Sequence, residues 1–467
     1  MKLPEDIASC HTLILQQAEQ IKLLSAQLSE LINRQEVLEG RLKENSRNSN
    51  RPPSSDGFTK RPALARVPKG KKGGQKGHKG DTLKMVDTPD MVVEVYPSVC
   101  TCGADLTGTA HIIQEKRQVF DLPPQRLQVT EYRQLGGYCP CCAKYQCLPF
   151  PKEIVAPVQY GSGVKALCVL LANEYRTPFR KIGQLFKDIY GQSINSATVS
   201  SFMEDCHRRL ADEEAYIRKQ LSQEAVAHFD ETGIRCSGTL HWLHTASSSL
   251  YTLLFVHAKR GIEAFESSSS VLKDFKGWAV HDCWNSYFKV GLQKHAICQA
   301  HIIRELVGLS ERGSRWAPHM ERLLWTLYKM TDSGRSALDE QQLKKARKVY
   351  RCILSYADSL EPPPVKKGRG QFKSTKGRNL LNRLSKLESA MLAFAHHPEV
   401  PFTNNQAERD LRPAKVKLKI AGTFRAISGA NEYARIQSFI STLQKHQFDV
   451  FTQLMAVFQG QKILIGS

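Results

Sequence analysis

Two short apolar runs each end in an acid: Ala225-Val-Ala-His-Phe-Asp230 and Gly277-Trp-Ala-Val-His-Asp282. Two carboxylates brought to one place by neighbouring strands repel each other unless a cation lies between them. The pair therefore implies a divalent-metal site. A third acid, Glu408, stands in Phe402-Thr-Asn-Asn-Gln-Ala-Glu408-Arg-Asp-Leu-Arg412, near the first turn of a helix that Asn404 or Asn405 would cap. Hard oxygen ligands suit Mg²⁺ or Mn²⁺. Two such ions about 3.5–4 Å apart activate an attacking oxygen and neutralise a leaving one in phosphodiester chemistry. Each acid alone has a plainer reading, as a turn or cap residue for the aspartates and as an i,i+4 partner of Arg412 for Glu408.

A second metal-binding pattern lies upstream. Six of the 13 cysteines fall between positions 100 and 147. Cys100-Thr-Cys102 and Cys139-Pro-Cys141-Cys142 are two paired-cysteine knuckles separated by an alternating stretch, the arrangement that gathers four thiolates around Zn²⁺. Cys139 and Cys142 have the usual C-x-x-C spacing, whereas Cys100 and Cys102 are one residue short of it. Buried free thiols are the plainer alternative. Residues 86–150 are expected to form this small β-rich module.

The acids need elements to hold them. After Asp230 the sequence predicts a turn, strands over Thr239–Ala246 and Leu250–His257, a helix over Gly261–Phe275 and a further strand ending at Asp282. Three hairpin-linked strands, a crossover and a fourth strand make a mixed α/β sheet in which the first and fourth lie side by side. Ligand sites in such sheets form at the carboxyl ends of strands. The 125 residues between Asp282 and Glu408 exceed what a minimal sheet domain needs, so a helical insertion is expected over about 305–400. Arg304–Met330 and Asp339–Leu360 read as its helices, and Trp316 and Trp325 as core aromatics.

Ahead of these lie the elements that would bring a partner to the site. A heptad runs through the first 44 residues, with Cys10, Gln17, Leu24, Leu31 and Leu38 at a and Ile7, Ile14, Ile21, Leu28, Gln35 and Leu42 at d. Such a seam is buried only against another helix, which predicts a coiled coil and at least a dimer. Residues 45–85 then read as a flexible basic strap in which little could pack. From Lys43 to Gly80 there are 11 Lys/Arg against two acids, and Lys69, Lys71, Lys72, Lys76 and Lys79 form its densest part. That composition suits sequence-blind, salt-sensitive phosphate contacts. Residues 151–222 read as helices over Val164–Asn173, Phe179–Ile189 and Ala197–Leu210, with Ser196 as an N-cap and a turn compatible with a helix-turn-helix. The catalytic unit is expected over 223–430 and a C-terminal helical region over 431–467.

The balance of 66 Lys+Arg against 45 Asp+Glu gives a net charge of +21 over 467 residues, which points to a polyanionic partner. With 41% hydrophobic residues the chain has a core, so wholesale disorder is excluded. No apolar run approaches a membrane span and the N-terminus carries no secretory pattern, so a cytoplasmic, nucleoid-associated location is expected. Two further basic runs flank Glu408. One includes Lys366, Lys367 and Arg369; the other includes Lys415, Lys417 and Lys419. Both are candidate DNA-backbone contacts.

Several stretches together resemble the DDE transposases of the insertion-sequence-sixty-six family. They are Asn48-Ser-Asn-Arg-Pro-Pro-Ser-Ser-Asp56, Gly73-Gly-Gln-Lys-Gly-His-Lys-Gly80, His228-Phe-Asp-Glu-Thr-Gly233, Asp282-Cys-Trp-Asn-Ser-Tyr287, Cys298-Gln-Ala-His-Ile-Ile-Arg-Glu-Leu306 and Asn404-Asn-Gln-Ala-Glu-Arg-Asp-Leu-Arg412. The resemblance implies an RNase H-like catalytic fold with Asp230, Asp282 and Glu408 as the metal-binding triad. It also implies a leucine-zipper-like helix, a zinc module and small accessory proteins of the same element. The expected activity is cleavage of element ends followed by strand transfer into target DNA. A plain metal-dependent nuclease and a catalytically inactive DNA-binding derivative remain the alternatives. Cys298 and His301 match the family's Cys-x-x-His pattern and, with Arg304 and Arg412, are candidates for active-site support. Two departures stand out: Cys283 replaces the glycine usual after the second Asp, and Val99 stands where the first zinc cysteine usually falls. A left-handed backbone at Cys283 would be strained.

Overall fold

The computed structural model describes residues 6–42, 44, 45, 47–49, 83–364 except 111, 374–463 and 465. Lys69, Lys71, Lys72, Lys76, Lys79, Lys366, Lys367 and Arg369 lie outside the described residues.

The heptad segment is one helix, α1 (Ile7–Leu42), and its seam residues Ile14, Ile21, Leu24, Leu28, Leu31 and Leu38 are all exposed. Little in the strap is expected to pack, yet Asn48 near its start is only 6% exposed. The cysteine module carries less strand than its alternation suggested. It has one hairpin, β1 (Gly136–Tyr138) with β2 (Tyr145–Cys147), and an isolated bridge between Val99 and Asp105.

Four helices follow: α2 (Ser162–Asn173), α3 (Phe179–Tyr190), α4 (Ser196–Arg209) and α5 (Ala211–Gln223). The cap of α4 is Asn195, whose side chain accepts the Ala197 N–H at 2.9 Å, and not Ser196. Helices α2 to α4 share one apolar core with the chain's last two helices, α14 (Ile427–Lys445) and α15 (Val450–Gln459). Val199, Phe202, Met203 and Cys206 of α4 are spent on that core.

The sheet has five strands in the order β5-β4-β3-β6-β7. They are β3 (Val226–Cys236), β4 (Thr239–Ser247), β5 (Thr252–His257), β6 (Trp278–His281) and β7 (His295–Ile297). Strand β3 is central, antiparallel to β4 and parallel to β6. Its even-numbered residues Ile234 and Cys236 pack with Leu411, Ala414 and Tyr433 on one face, and its odd-numbered Ala227 and Phe229 pack with Phe265, Phe275 and Tyr287 on the other. This is the period-2 alternation of a strand buried on both sides.

Two expectations for this region fail. Asp230 does not end its strand, because β3 continues six residues further to Cys236. Gly261–Phe275 is not one helix but a single turn, α6 (Ile262–Phe265), and a 3-10 turn at Leu272–Asp274. Between them Ser267 and Ser270 bond to the local backbone: Ser267 Oγ donates to Ala264 O at 2.7 Å and Ser270 Oγ accepts the Leu272 N–H at 3.1 Å. Such bonds compete with helix continuation.

The insertion comprises α7 (Gln299–Ser310), α8 (Ala317–Met330), α9 (Glu340–Leu360), α10 (Lys376–Lys386) and two single turns, α11 (Glu388–Met391) and α12 (Ala393–His396). Arg304–Met330 is therefore two helices, broken at residues 311–316. Trp316 is a core residue with its Nε1–H donated to Glu361 at 2.9 Å, and Trp325 packs against Phe402 and Tyr328. Helix α13 (Asn405–Ala421) then returns to lie against β3 and β4.

Candidate functional site

The parallel pairing of β3 with β6 matches His228 with Val280. Carried two residues on, this register sets Asp230 level with Asp282. Asp230 shares the parity of Ile234 and Cys236 on the face covered by α13, whose first turn carries Glu408; Asp282 follows the end of β6, and its charge acts on both Asp230 and Glu231.

Asn404, immediately before α13, fixes that helix to the sheet. It is the N-cap residue of α13, one of the two the sequence offered, but its side chain does not bond to the helix's own N–H groups. Its Nδ2–H donates to Phe229 O at 2.7 Å, and its Oδ1 accepts from His228 Nδ1 at 2.9 Å. Because Nδ2 is committed as the donor, His228 must carry its proton on Nδ1. Burial keeps His228 neutral, with its pKa lowered to about 4. The Asn404 N–H is received by Cys298 Sγ at 3.1 Å. Cys298, the residue preceding α7, thereby joins the insertion to the start of α13.

A second anchor lies further along α13, against β4 and β5. Asp410 accepts from Ser247 Oγ at 2.5 Å, Thr252 Oγ1 at 2.9 Å and Lys445 Nζ at 2.7 Å. Both charges of this pair are buried, and Lys445 also donates to Ser248 O and Tyr251 O. Ion pairs inside a protein hold when their remaining hydrogen-bonding capacity is met, as here.

Burial and the charges of Glu231 and Asp282 push Asp230 up to about 7, against the attraction of Lys415. The Glu231 N–H donates to Asp230 Oδ1 at 2.9 Å, and the Trp284 N–H donates to Asp282 Oδ1 at 2.8 Å. Glu231, on the opposite face of β3, is held by Tyr287 OH at 2.6 Å and Arg260 Nε at 2.8 Å. Arg260 lies over both Trp242 and Trp284. Burial and Asp282 raise the Glu231 pKa in spite of these partners.

Glu408 lies 4.0 Å from His301 Nε2. Burial opposes the imidazolium of His301, but Cys298 and Glu408 outweigh it and bring its pKa to about 9, with Arg304 working against them. The acids thus form a pair, Asp230 with Asp282, and a third member on the facing helix beside His301. Among the described residues no group of three or more His, Cys, Asp or Glu side chains is close enough to hold a metal ion. A carboxyl whose ionisation is opposed by burial and like charge is what a divalent cation would relieve, so the pair fits Mg²⁺ or Mn²⁺ chemically.

Cys283 is half-buried, its thiol pushed up to about 12 by burial, and its backbone is not left-handed. The strain expected from replacing glycine is absent. Of the basic candidates, Arg412, Lys415 and Lys419 are exposed. Lys417 is not available to a backbone phosphate. Its Nζ donates to Ala172 O at 3.2 Å, it lies over the Tyr433 ring, and burial lowers its pKa to about 8.

The two cysteine knuckles share a design. Gly103 N–H donates to Cys100 O and Ala143 N–H to Cys139 O, and each donor follows the knuckle's last cysteine in a left-handed conformation, φ 91° and 55°. The neighbouring Cys102 backbone lowers the Cys100 pKa, and the Cys142 and Cys141 backbones lower that of Cys139. Thiolate formation is what metal ligation requires.

The fold and these sites describe a multidomain protein in which a mixed sheet flanked by helices carries an acidic site, preceded by a cysteine module. The family model described as Transposase IS66 family matches residues 157–432, more than half of the chain. The chain belongs to that family. A model described as the zinc-finger binding domain of transposase IS66 matches residues 97–143, which supports Zn²⁺ binding by the cysteine module, and a family of unknown function matches residues 6–84. No curated protein matches the chain. Among the described residues no helix is long and apolar enough to cross a membrane.

Sequence reasoning missed Glu231, Tyr287, Arg260, Asp410 and Lys445. Glu231, Tyr287 and Asp410 stand inside the quoted motifs, and that was their only signal.

Proposed function

We propose that this transposase cuts element ends and joins them to target DNA with Asp230, Asp282 and Glu408 as the carboxylates that hold Mg²⁺ or Mn²⁺. The observation that carries the reading is the β3–β6 register, which pairs His228 with Val280, each two residues before an aspartate, while the helix packed on β3 bears Glu408 in its first turn. The strand order supports an RNase H-like unit, with the first strand central, its hairpin partners to one side and parallel strands to the other.

Divalent ions bound there supply charge neutralisation for an in-line displacement at phosphorus. The protein's own share is positional. Asn404 and the Asp410–Lys445 pair fix α13, and therefore Glu408, against β3. His301 meets the outer side of Glu408. Exposed Lys415, Lys419 and Arg412 line the same helix and contribute sequence-blind attraction for the DNA backbone. Hydrolysis leaves a 3′-hydroxyl and a 5′-phosphate; that hydroxyl then displaces a target phosphodiester at the same site.

Cys100, Cys102, Cys139 and Cys142 are the zinc ligands in this reading. Helix α1 pairs with a second copy through its exposed heptad seam, which contributes at least a dimer. Strap lysines, the helical region and the zinc module bind the element ends, with small accessory proteins of the element as further partners, in a cytoplasmic, nucleoid-associated setting. The test is metal-dependent nicking of element-end DNA. Wild type should cut with Mg²⁺ or Mn²⁺, and Asp230→Ala, Asp282→Ala and Glu408→Ala should each bind the ends and fail to cut. Cutting by any of the three removes that residue from the triad.

A further inference from the structure

The segment that opens the basic strap is docked on the catalytic insertion, with a fit that no part of the proposed reaction uses. Asn45, Asn48 and Ser49 are tied together: the Asn45 N–H donates to Asn48 Oδ1 at 2.8 Å, and Ser49 Oγ donates to Asn45 O at 2.6 Å. Asn48 Nδ2 donates to Glu311 Oε2 at 2.5 Å, just beyond the end of α7. Glu44, whose side chain is only 12% exposed, is ion-paired to Lys376 at the start of α10. The Asn48 carbonyl lies directly over Gly308. A Cβ at position 308 would lie 2.1 Å from that oxygen, so the contact exists only because α7 carries glycine there. A glycine inside a helix is costly relative to alanine, and here the close approach of another backbone accounts for it.

Glu44 stands two residues beyond the end of α1, so this contact seats the base of the long helix on the insertion. We infer that Glu44, Asn45, Asn48 and Ser49 are a latch between zipper and catalytic insertion, and that the partner the latch serves is a second copy of the chain. With the base of each zipper seated on its own insertion, parallel pairing of α1 sets two catalytic units side by side. Antiparallel pairing would hold them about 54 Å apart, the length of a 36-residue helix. A reaction on two element ends needs the former. The inference rests on the coiled-coil reading of α1.

Amide hydrogen exchange on the full chain reads the latch. Gly308→Ala keeps α7 intact, since alanine is the better helix former, but adds the excluded Cβ. Exchange in peptides covering 44–49 should quicken at least ten-fold while α7 is unchanged. The double variant Leu24→Glu/Leu31→Glu should be monomeric by light scattering with the latch still protected. Unchanged exchange in Gly308→Ala, or protection lost in the monomeric variant, overturns the latch. Cys10 occupies an a position near the far end of the zipper, and parallel pairing sets two copies of it across the seam. Mild oxidation should therefore give a covalent dimer that Cys10→Ser does not form. A wild-type dimer without that crosslink overturns the side-by-side arrangement. A monomeric wild type overturns the coiled coil, and with it the second copy as the latch's partner, while the exchange result still decides the latch itself.

Discussion

Replacing Asp230 with Asn should stabilise the protein when no divalent ion is bound. Burial, Glu231 and Asp282 raise the Asp230 pKa from its ordinary 3.8 to about 7. A carboxyl with a raised folded pKa contributes its full stability below the unfolded value and loses it as pH rises through the folded value. Between pH ~4 and ~7 the unfolded chain ionises while the folded chain keeps its proton, and above ~7 the whole penalty stands. At about 1.4 kcal/mol per pKa unit, the upper limit is about 4 kcal/mol at pH 8 and about 2 kcal/mol at pH 5. Half of the larger figure would raise the melting temperature of the catalytic unit by roughly 4–8 °C. Calorimetry in buffer free of Mg²⁺ and Mn²⁺, with zinc retained, reads this directly. Added Mn²⁺ should then stabilise wild type and leave Asp230→Asn unmoved. Since the metal must displace a proton, its affinity should fall about ten-fold between pH 8 and pH 6. An Asp230→Asn variant that melts at or below the wild-type temperature at pH 8 would refute the reasoning.

The buried pair gives a contrasting case. Lys445→Ala strands Asp410 without its cation and should cost about 3–5 kcal/mol in urea unfolding, most of it recovered by adding Asp410→Asn; equal stability of the single and double variants would count against the network. At the second knuckle, Ala143 carries a left-handed φ of 55° where the first has Gly103. Ala143→Gly should relieve about 1 kcal/mol and strengthen zinc retention about five-fold in chelator competition, if zinc binding and folding of the module are coupled. Cys139→Ser should lower zinc content, read by elemental analysis, from one ion per chain to none; an unchanged content would move the ligand set elsewhere.

The acid pair was legible because short apolar runs ending in Asp are a local signal and parallel neighbours in a sheet need a crossover. The long helix was legible from its heptad. The extent of β3 was not, since Asp230-Glu-Thr-Gly233 reads as a turn until Gly233 is seen opposite Trp242, with Leu240 filling the space beside it. The serines of 267–270 carry the break in the expected helix, but their competing bonds depend on the backbone path. Lys417 and Lys419 are alike in sequence; only packing against α2 and Tyr433 separates the buried one from the exposed one. The clamp on Glu231 and the Asp410–Lys445 pair join residues 29 to 56 positions apart, which no local pattern records.

The central claim is that three carboxylates carry both displacements, and the most direct measurement is transfer of labelled 3′-hydroxyl element ends into a target plasmid with Mg²⁺ or Mn²⁺. Wild type should give joined products, while Asp230→Ala, Asp282→Ala and Glu408→Ala, each still binding the ends, should give none. Joined products from any of the three variants, or a wild type that cuts and never joins, would contradict the account.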